Sequence, residues 1–211
     1  APKACVACSI LAEGTTNRSS EGLAPDAAAW TSHPPTLVGS GMPHHESEPV
    51  YVSERTLIGS EREQIEAFLE DNRTGMLGLL DGLDEDQARR RLVPSKTSLL
   101  ALVKHAVFVE KVWFPVAIEG RSRENIGCPV DADASFDLTE VDTIASVTVA
   151  YRAAAQESRR IAAAHDLDDL AQHNRRGPLT LRWILVHMVE ELARHTGHGD
   201  ILREQILAAD G

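Results

Sequence analysis

A carboxylate and an imidazole lie four residues apart, as Glu191 and His195, in an otherwise apolar stretch of the sequence. Successive residues of a helix are rotated by about 100°, so side chains four positions apart point in nearly the same direction. Ile184, Met188 and Leu202 flank the pair on this helical face, which predicts that the face is turned toward a core. Polar groups in a core cost free energy unless they are paired. A metal ion, an ordinary buried ion pair or a polar bundle core would each provide that pairing.

A third candidate ligand, His105, lies in a second apolar helical segment, residues 98–118. Leu102 and Val109 share its face. A histidine alone on such a face is more often a hydrogen-bonded core residue than a ligand. Metal sites in helical bundles, however, are built from side chains on facing helices. His105 together with the pair on the later segment therefore forms a candidate metal site, with a satisfied polar core as the alternative.

Composition limits the classes of partner. The chain has 211 residues, of which 43% are hydrophobic, and this is enough for one domain with a sizeable core. Asp and Glu total 32 against 21 Lys and Arg, which gives a formal net charge of -11. This balance argues against general affinity for nucleic acid or anionic lipid, since both reward basic patches. No apolar run approaches the roughly 20 residues that span a bilayer. We therefore expect neither a nucleic-acid partner nor a membrane span.

The cysteines do not form a recognisable framework. Cys5, Cys8 and Cys128 are an odd and sparse set, which is not typical of a disulfide scaffold. Cys5 and Cys8 have metal-like spacing, but no second pair with zinc-finger spacing follows. Residues 4–12 resemble the core of a signal peptide but are short and lack a strongly basic flank. Cytoplasmic residence is therefore expected.

The composition changes near residue 55. Residues 1–54 are rich in small, Pro and Ser residues and have no sustained hydrophobic period. They are interpreted as an N-terminal extension that is disordered or loosely packed. The only β-like signal in the chain is a weak one near residues 49–53.

From residue 55 to 211 the pattern is helical. Ser60 and Glu63 match a capping box that opens the first long helix. A short helix at most is expected over residues 84–92. The long helices are predicted at about 60–80, 98–118, 139–165 and 178–209. Four long amphipathic helices with connections of unequal length indicate an all-α four-helix bundle.

Two motifs resemble a known family. Leu102-Val-Lys-His105, followed by Glu110 and Trp113-Phe114, is similar to the second-helix signature of the DinB-like (YfiT-like) superfamily of metalloenzymes. Residues 188–198, Met-Val-Glu-Glu-Leu-Ala-Arg-His-Thr-Gly-His, are similar to its fourth-helix signature. Within that superfamily the chain most resembles an uncharacterised branch related to mycothiol-dependent maleylpyruvate isomerase. The resemblance covers about residues 55–207.

The resemblance implies a metal site and a class of reaction. The family's ligand positions correspond here to His105, Glu191 and His195. Two imidazoles and one carboxylate suit zinc, and they also suit nickel or iron. Three protein ligands leave coordination positions open, which is the catalytic pattern. The implied function is a divalent-metal-dependent S-transferase or isomerase that uses a small thiol such as mycothiol on a small electrophile.

Neighbouring residues are assigned secondary roles. His198 is the candidate catalytic proton carrier, with a partly exposed bystander as the alternative reading. His187 lies toward the edge of the same apolar face, and its part in the site is left open. Glu110 faces elsewhere than His105, which favours a structural hydrogen bond or ion pair. Trp113 and Trp183 are interpreted as core residues.

Two other functions fit the same pattern. One is a non-catalytic metal-binding or stress-response bundle, and the other is a hydrolase that uses metal-bound hydroxide. An open coordination position beside a ligand-sized pocket would favour catalysis, whereas a closed shell would favour the non-catalytic protein. Bundles of this kind often pair through helix faces, so a homodimer is also among the expectations.

Overall fold

The computed structural model describes residues 51–210, so the predicted N-terminal extension lies almost entirely outside the described residues, as do Cys5 and Cys8. The predicted all-α four-helix bundle is confirmed. Its elements are the long helices α1 (Glu61–Gly78), α3 (Leu99–Lys111), α4 (Ile144–Ala163) and α5 (Leu181–Asp210), with a short α2 (Glu85–Arg89) between the first two of them.

The helices pair as α1 with α5 and α3 with α4, and α3 also packs against α5. Helices α1 and α5 run parallel, since Glu61 near the start of α1 pairs with Arg182 near the start of α5. Toward the other end, a methyl group added at Gly199 of α5 would overlap the side chain of Leu79. The absence of a side chain at this glycine therefore allows the two helices to approach closely. This layout places the inner faces of α3 and α5 opposite each other.

The helix starts follow their capping residues. At α1 the predicted capping box is present: the Ser60 amide donates to Glu63 Oε2 at 2.7 Å, and Ser60 Oγ accepts from the Glu63 amide. The predicted start of the third long helix at residue 139 is wrong, because α4 begins only at Ile144. Asp142 instead accepts from the Thr139 amide at 2.7 Å and from Lys104 Nζ at 2.8 Å. Residues 139–142 therefore form a turn before the helix, and the Asp142 carboxylate stabilises that turn.

Helix α3 ends in an irregular turn that contains Pro115. Residues 112–116 form a π-helical turn, and the regular α-helix ends at Lys111. Proline lacks the backbone N–H that would continue the hydrogen-bond ladder. The chain then leaves the bundle through Gly120, whose φ of 70° suits glycine.

The β structure differs from the prediction. Within residues 51–53 there is no strand; Ser53–Arg55 form a 3₁₀ turn, and the amides of Val52 and Ser53 donate to the carboxylate of Asp71 in α1. An unpredicted antiparallel pair joins β1 (Leu170–Ala171) to β2 (Leu179–Thr180) just before α5. Strands of two residues have no alternating pattern for the sequence to display.

Glu110 of α3 forms the ion pair that its position predicts. Arg73 of α1 donates to both carboxylate oxygens, at 2.7 and 2.8 Å. Both residues are buried. The pair links α1 to α3 through the centre of the bundle.

Among residues 51–210, the helices fall short of the combined length and apolarity that a bilayer crossing requires.

Candidate metal centre

The three predicted ligands meet between α3 and α5. His105 projects from α3, and Glu191 and His195 project from consecutive turns of α5. One ligand atom from each lies within 4.8 Å of the others, and all three residues are buried. His105 Nε2 is 3.4 Å from Glu191 Oε1, and His195 Nε2 is 3.2 Å from the same oxygen. Two nitrogens and one oxygen therefore surround a common point.

Apolar packing fixes this geometry. On α5, Met188 and Leu192 lie beside Glu191 and are fully buried. On α3, Leu102 and Val109 bury the same face as His105. The helices cannot rotate about their own axes without exposing these side chains to water, which opposes any displacement of the three polar groups.

A serine that sequence reasoning missed determines the tautomer of His105. Ser135 Oγ lies 2.6 Å from His105 Nδ1, and its hydroxyl also donates to Ala132 O at 2.6 Å. A hydroxyl carries one proton, so toward the imidazole Ser135 Oγ accepts, and His105 must hold its proton on Nδ1. In the neutral ring the lone pair of Nε2 then faces Glu191. Two electron-rich atoms facing each other repel unless a cation or a proton lies between them.

Phe136 supports the same ring from the next position. Its ring centroid lies 4.2 Å from that of His105, with an angle of 16° between the planes. Ser135 and Phe136 belong to a 3₁₀ turn, Ala134–Phe136, in the long connection between α3 and α4. No motif in that connection indicates a role, because the contact arises only when the connection folds back over α3.

The electrostatics of the cluster favour a cation. Burial lowers the pKa of His105, which makes the imidazolium form unfavourable. Burial also opposes ionisation of Glu191, but the close approach of His105 and His195 outweighs it and holds the pKa of this carboxyl well below its usual range. A neutral His105 that holds its proton on Nδ1 cannot donate to this carboxylate, so the lone pair of Nε2 and the carboxylate oxygen face each other without a proton between them. A divalent cation would meet the needs of all three groups at once.

The donor set suits zinc, which binds imidazole nitrogen and carboxylate oxygen and is usually four-coordinate. Metal-bound histidines commonly donate their other N–H to a protein acceptor. His105 meets this requirement through Ser135. His195 does not within residues 51–210, where its buried Nδ1 has no hydrogen-bond partner.

A family model described as mycothiol-S-transferase matches residues 64–208. The chain belongs to the mycothiol-S-transferase family. The resemblance to mycothiol-related DinB-like proteins is thereby confirmed. The match includes His105, Ser135, Glu191 and His195. A comparison with curated proteins finds no match.

The name of the mycothiol-S-transferase family specifies a thiol and a transfer reaction, but it specifies neither a metal nor the acceptor of the thiol. The residues beside the three converging side chains are therefore of interest, because they could act on a bound thiol or its acceptor. His198, the candidate proton carrier, is exposed, and its ring centroid lies 5.9 Å from that of His195. Burial and the neighbouring His195 lower the pKa of His198. It lies beside the cluster and is not one of its three converging groups.

His187 is one turn before Glu191 and belongs to an aromatic cluster. Its ring stacks on Trp183 at 5.0 Å and meets Trp113 edge-on at 4.9 Å. Trp113 is buried, as predicted, but the interpretation of Trp183 as a core residue is wrong, because 39% of it is exposed. Trp183 instead lies at the surface, where its ring stacks on that of His187. The sequence does not indicate that Trp183 is exposed. A tryptophan on the apolar face of a helix gives the same hydrophobic period whether it lies in the centre of the core or at its edge.

Proposed function

We propose that this protein joins a small thiol of the mycothiol kind, through its sulfur, to a small electrophile, with a divalent cation, preferably zinc, bound by His105, Glu191 and His195. The observation that carries the proposal is the Ser135–His105 contact. It directs an imidazole lone pair at an ionised carboxylate in a buried site. That arrangement is unfavourable without a cation.

The protein residues have distinct roles in this proposal. His105, Glu191 and His195 would hold the cation, and Ser135 holds His105 in the required tautomer. When bound, the cation favours thiolate over thiol and so supplies a nucleophile at neutral pH. The apolar residues around the three ligands exclude water, which strengthens their electrostatic interaction with the cation.

The transfer requires a place for one proton. The thiol loses its proton, the sulfur electron pair forms the new S–C bond, and the leaving group departs with its own bonding pair. His198 is assigned as the proton acceptor, because its lowered pKa keeps its imidazole neutral near pH 7. An isomerisation, in which the thiol adds and is later expelled, would use the same first steps.

The proposal is tested by assaying mycothiol with 1-chloro-2,4-dinitrobenzene, a small aromatic electrophile whose chloride is displaced by thiols. The protein is purified without a metal-affinity column, and one half is treated with a chelator and desalted. The untreated half, or the treated half after zinc is restored, should accelerate conjugate formation, and the chelated half should not. Equal rates with and without the cation would refute metal dependence, and no acceleration in either half after zinc addition would refute transfer to this class of electrophile.

A further inference from the structure

A cavity of about 630 Å³ separates α1 from α4, on the side of the bundle where these two helices face each other without close packing. This volume lies within the range of small-molecule sites, about 300–1,000 Å³. Much of the lining is apolar. The apolar lining residues from the helices are Ala67, Leu69, Phe114, Ala162, Ala163 and Leu185.

The cavity is separate from the candidate metal centre. Its lining includes none of the three converging ligands, nor Ser135, Phe136 or His198. Arg73 lines it and forms the buried ion pair with Glu110. The metal ligands extend from α3 and α5, whereas most of the cavity lining belongs to α1 and α4. A molecule in this cavity would therefore be a second ligand, distinct from the thiol and the electrophile.

Charges in the lining cancel. Three arginines, Arg62, Arg73 and Arg159, are matched by three glutamates, Glu63, Glu66 and Glu70. Arg159 donates to both oxygens of Glu70, at 2.8 and 2.6 Å.

The arginines are already engaged. Arg62 donates to the carbonyls of Ala162 and His165, at 2.6 and 2.7 Å, and pairs with Glu66 at 2.9 Å. Arg73 donates to Glu110 and to Glu70. An anionic ligand would have to displace one of these partners, and a cationic ligand would have to displace an arginine. The electrostatics therefore favour an uncharged ligand.

One polar group in the lining has no partner. Ser158 of α4 is fully buried, and its hydroxyl makes no hydrogen bond within residues 51–210. An unsatisfied buried hydroxyl costs free energy, which a ligand oxygen would recover by accepting its proton. Among residues 51–210, it is the only side chain lining the cavity that is both buried and unpaired.

We propose that this cavity binds a neutral, mostly apolar small molecule that carries a carbonyl or hydroxyl oxygen, and that Ser158 Oγ is its hydrogen-bond partner. The proposal rests on the cavity, on its charge balance and on the unpaired hydroxyl, and it is independent of the thiol-transfer reaction.

The test uses 6-propionyl-2-dimethylaminonaphthalene, a neutral apolar ketone whose fluorescence responds to polarity and to hydrogen bonding at its carbonyl. Titration into the full chain should give saturable binding of one molecule per chain with blue-shifted emission. Ser158→Ala removes the donor with little change in volume. It should weaken binding by about three- to tenfold, the effect of one neutral hydrogen bond, and shift the bound emission further to the blue.

Two tryptophan variants locate the probe. Ala163 lines the cavity and is exposed, so Ala163→Trp should block the opening and weaken binding by more than tenfold. Ala153 is also exposed on α4 but does not line the cavity, so Ala153→Trp should bind as the unchanged chain does. Circular dichroism and thermal denaturation establish that all variants are folded.

Three outcomes would overturn the proposal. One is the absence of saturable binding to the unchanged chain. Another is binding that is equally strong in the folded Ala163→Trp variant. The third is tighter binding of the anion 1-anilinonaphthalene-8-sulfonate than of the ketone, since this would contradict the preference for an uncharged ligand. Unchanged affinity and emission in Ser158→Ala would overturn the assignment of Ser158 as the polar contact.

Discussion

Helix α3 carries two buried polar residues, His105 and Glu110. Other side chains of the protein balance the charge of Glu110, whereas the polar groups around His105 are not balanced in this way. Glu110 receives two hydrogen bonds from Arg73, so a carboxylate is matched by a guanidinium in bidentate geometry. His105 instead faces a carboxylate with an imidazole lone pair. The first arrangement is complete with protein atoms alone, whereas a cation bound between the two groups would complete the second.

This difference separates a structural polar cluster from a candidate functional one. Burial does not distinguish them, since His105, Glu110 and Arg73 are all at most 4% exposed. What distinguishes them is whether the donors, acceptors and charges balance. Variants of His195, Arg73, His198 and Ser135 test that balance in the two clusters.

The largest expected effect is loss of the metal from the His195→Ala variant. The unchanged chain should carry about one divalent ion, because three ligands converge. Removing His195 leaves two ligands, which seldom retain such an ion. Inductively coupled plasma mass spectrometry of dialysed protein measures the loss, and His165→Ala, at a half-buried residue that is not one of the three converging groups, is the control. Full occupancy with unchanged affinity in His195→Ala would mean that the ligand assignment is wrong.

The Arg73→Met variant should affect the other cluster and leave metal binding intact. It leaves Glu110 buried without its partner, which should cost about 3–5 kcal/mol of the free energy of unfolding. Urea denaturation measures this cost. The double variant Arg73→Met with Glu110→Leu should recover most of the loss, because no buried charge is then left unpaired. If Arg73→Met removed the metal from protein that is still folded, the two clusters would not be independent.

The His198→Ala variant tests whether the chemistry extends from the buried cluster to its exposed neighbour. A general base contributes about 10²–10⁴-fold to a rate, so kcat for mycothiol conjugation should fall by at least about 10²-fold. Metal content should not change, because His198 is outside the three converging ligands. Steady-state kinetics with metal analysis separates these effects. An unchanged kcat would leave His198 as a bystander.

The Ser135→Ala variant should produce the smallest effect. Without this acceptor at Nδ1, His105 is no longer held in the tautomer that presents the Nε2 lone pair. Loss of such an outer contact typically weakens metal affinity by about 10–100-fold. Competition with a chromophoric chelator measures the affinity, and Ser135→Thr, which keeps the hydroxyl, should retain more of it. Equal affinities in Ser135→Ala and the unchanged chain would remove the tautomer argument.

The sequence predicted much of this arrangement, for reasons that can be traced to local chemistry. The four long helices show a sustained hydrophobic period, and Ser60 caps α1 through its immediate neighbours. Glu191 and His195 are brought together by helical spacing alone. His105 is the third candidate because it lies on the apolar face of another predicted helix, and the family resemblance supports that choice.

What the sequence did not predict depends on contacts between distant segments. Ser135 is 30 residues from His105, and nothing in the intervening connection shows that it folds back onto α3. The start of α4 was misplaced because Thr139 and Asp142 have the composition of a helix start but form their own turn. The unpaired state of Ser158 was equally unpredictable, since it depends on the gap between α1 and α4.

Cobalt substitution tests the central claim most directly, because a thiolate bound to cobalt gives an intense charge-transfer band. Mycothiol added to the cobalt-loaded protein should produce this band. The same addition to His105→Ala, dialysed after cobalt loading, should not, because the two remaining ligands should not retain the ion. The Arg73→Met variant, provided that it is folded, should still produce the band. If saturating mycothiol leaves the spectrum of the cobalt-loaded, unchanged protein as it was, the sulfur does not bind at the cluster and the account is contradicted.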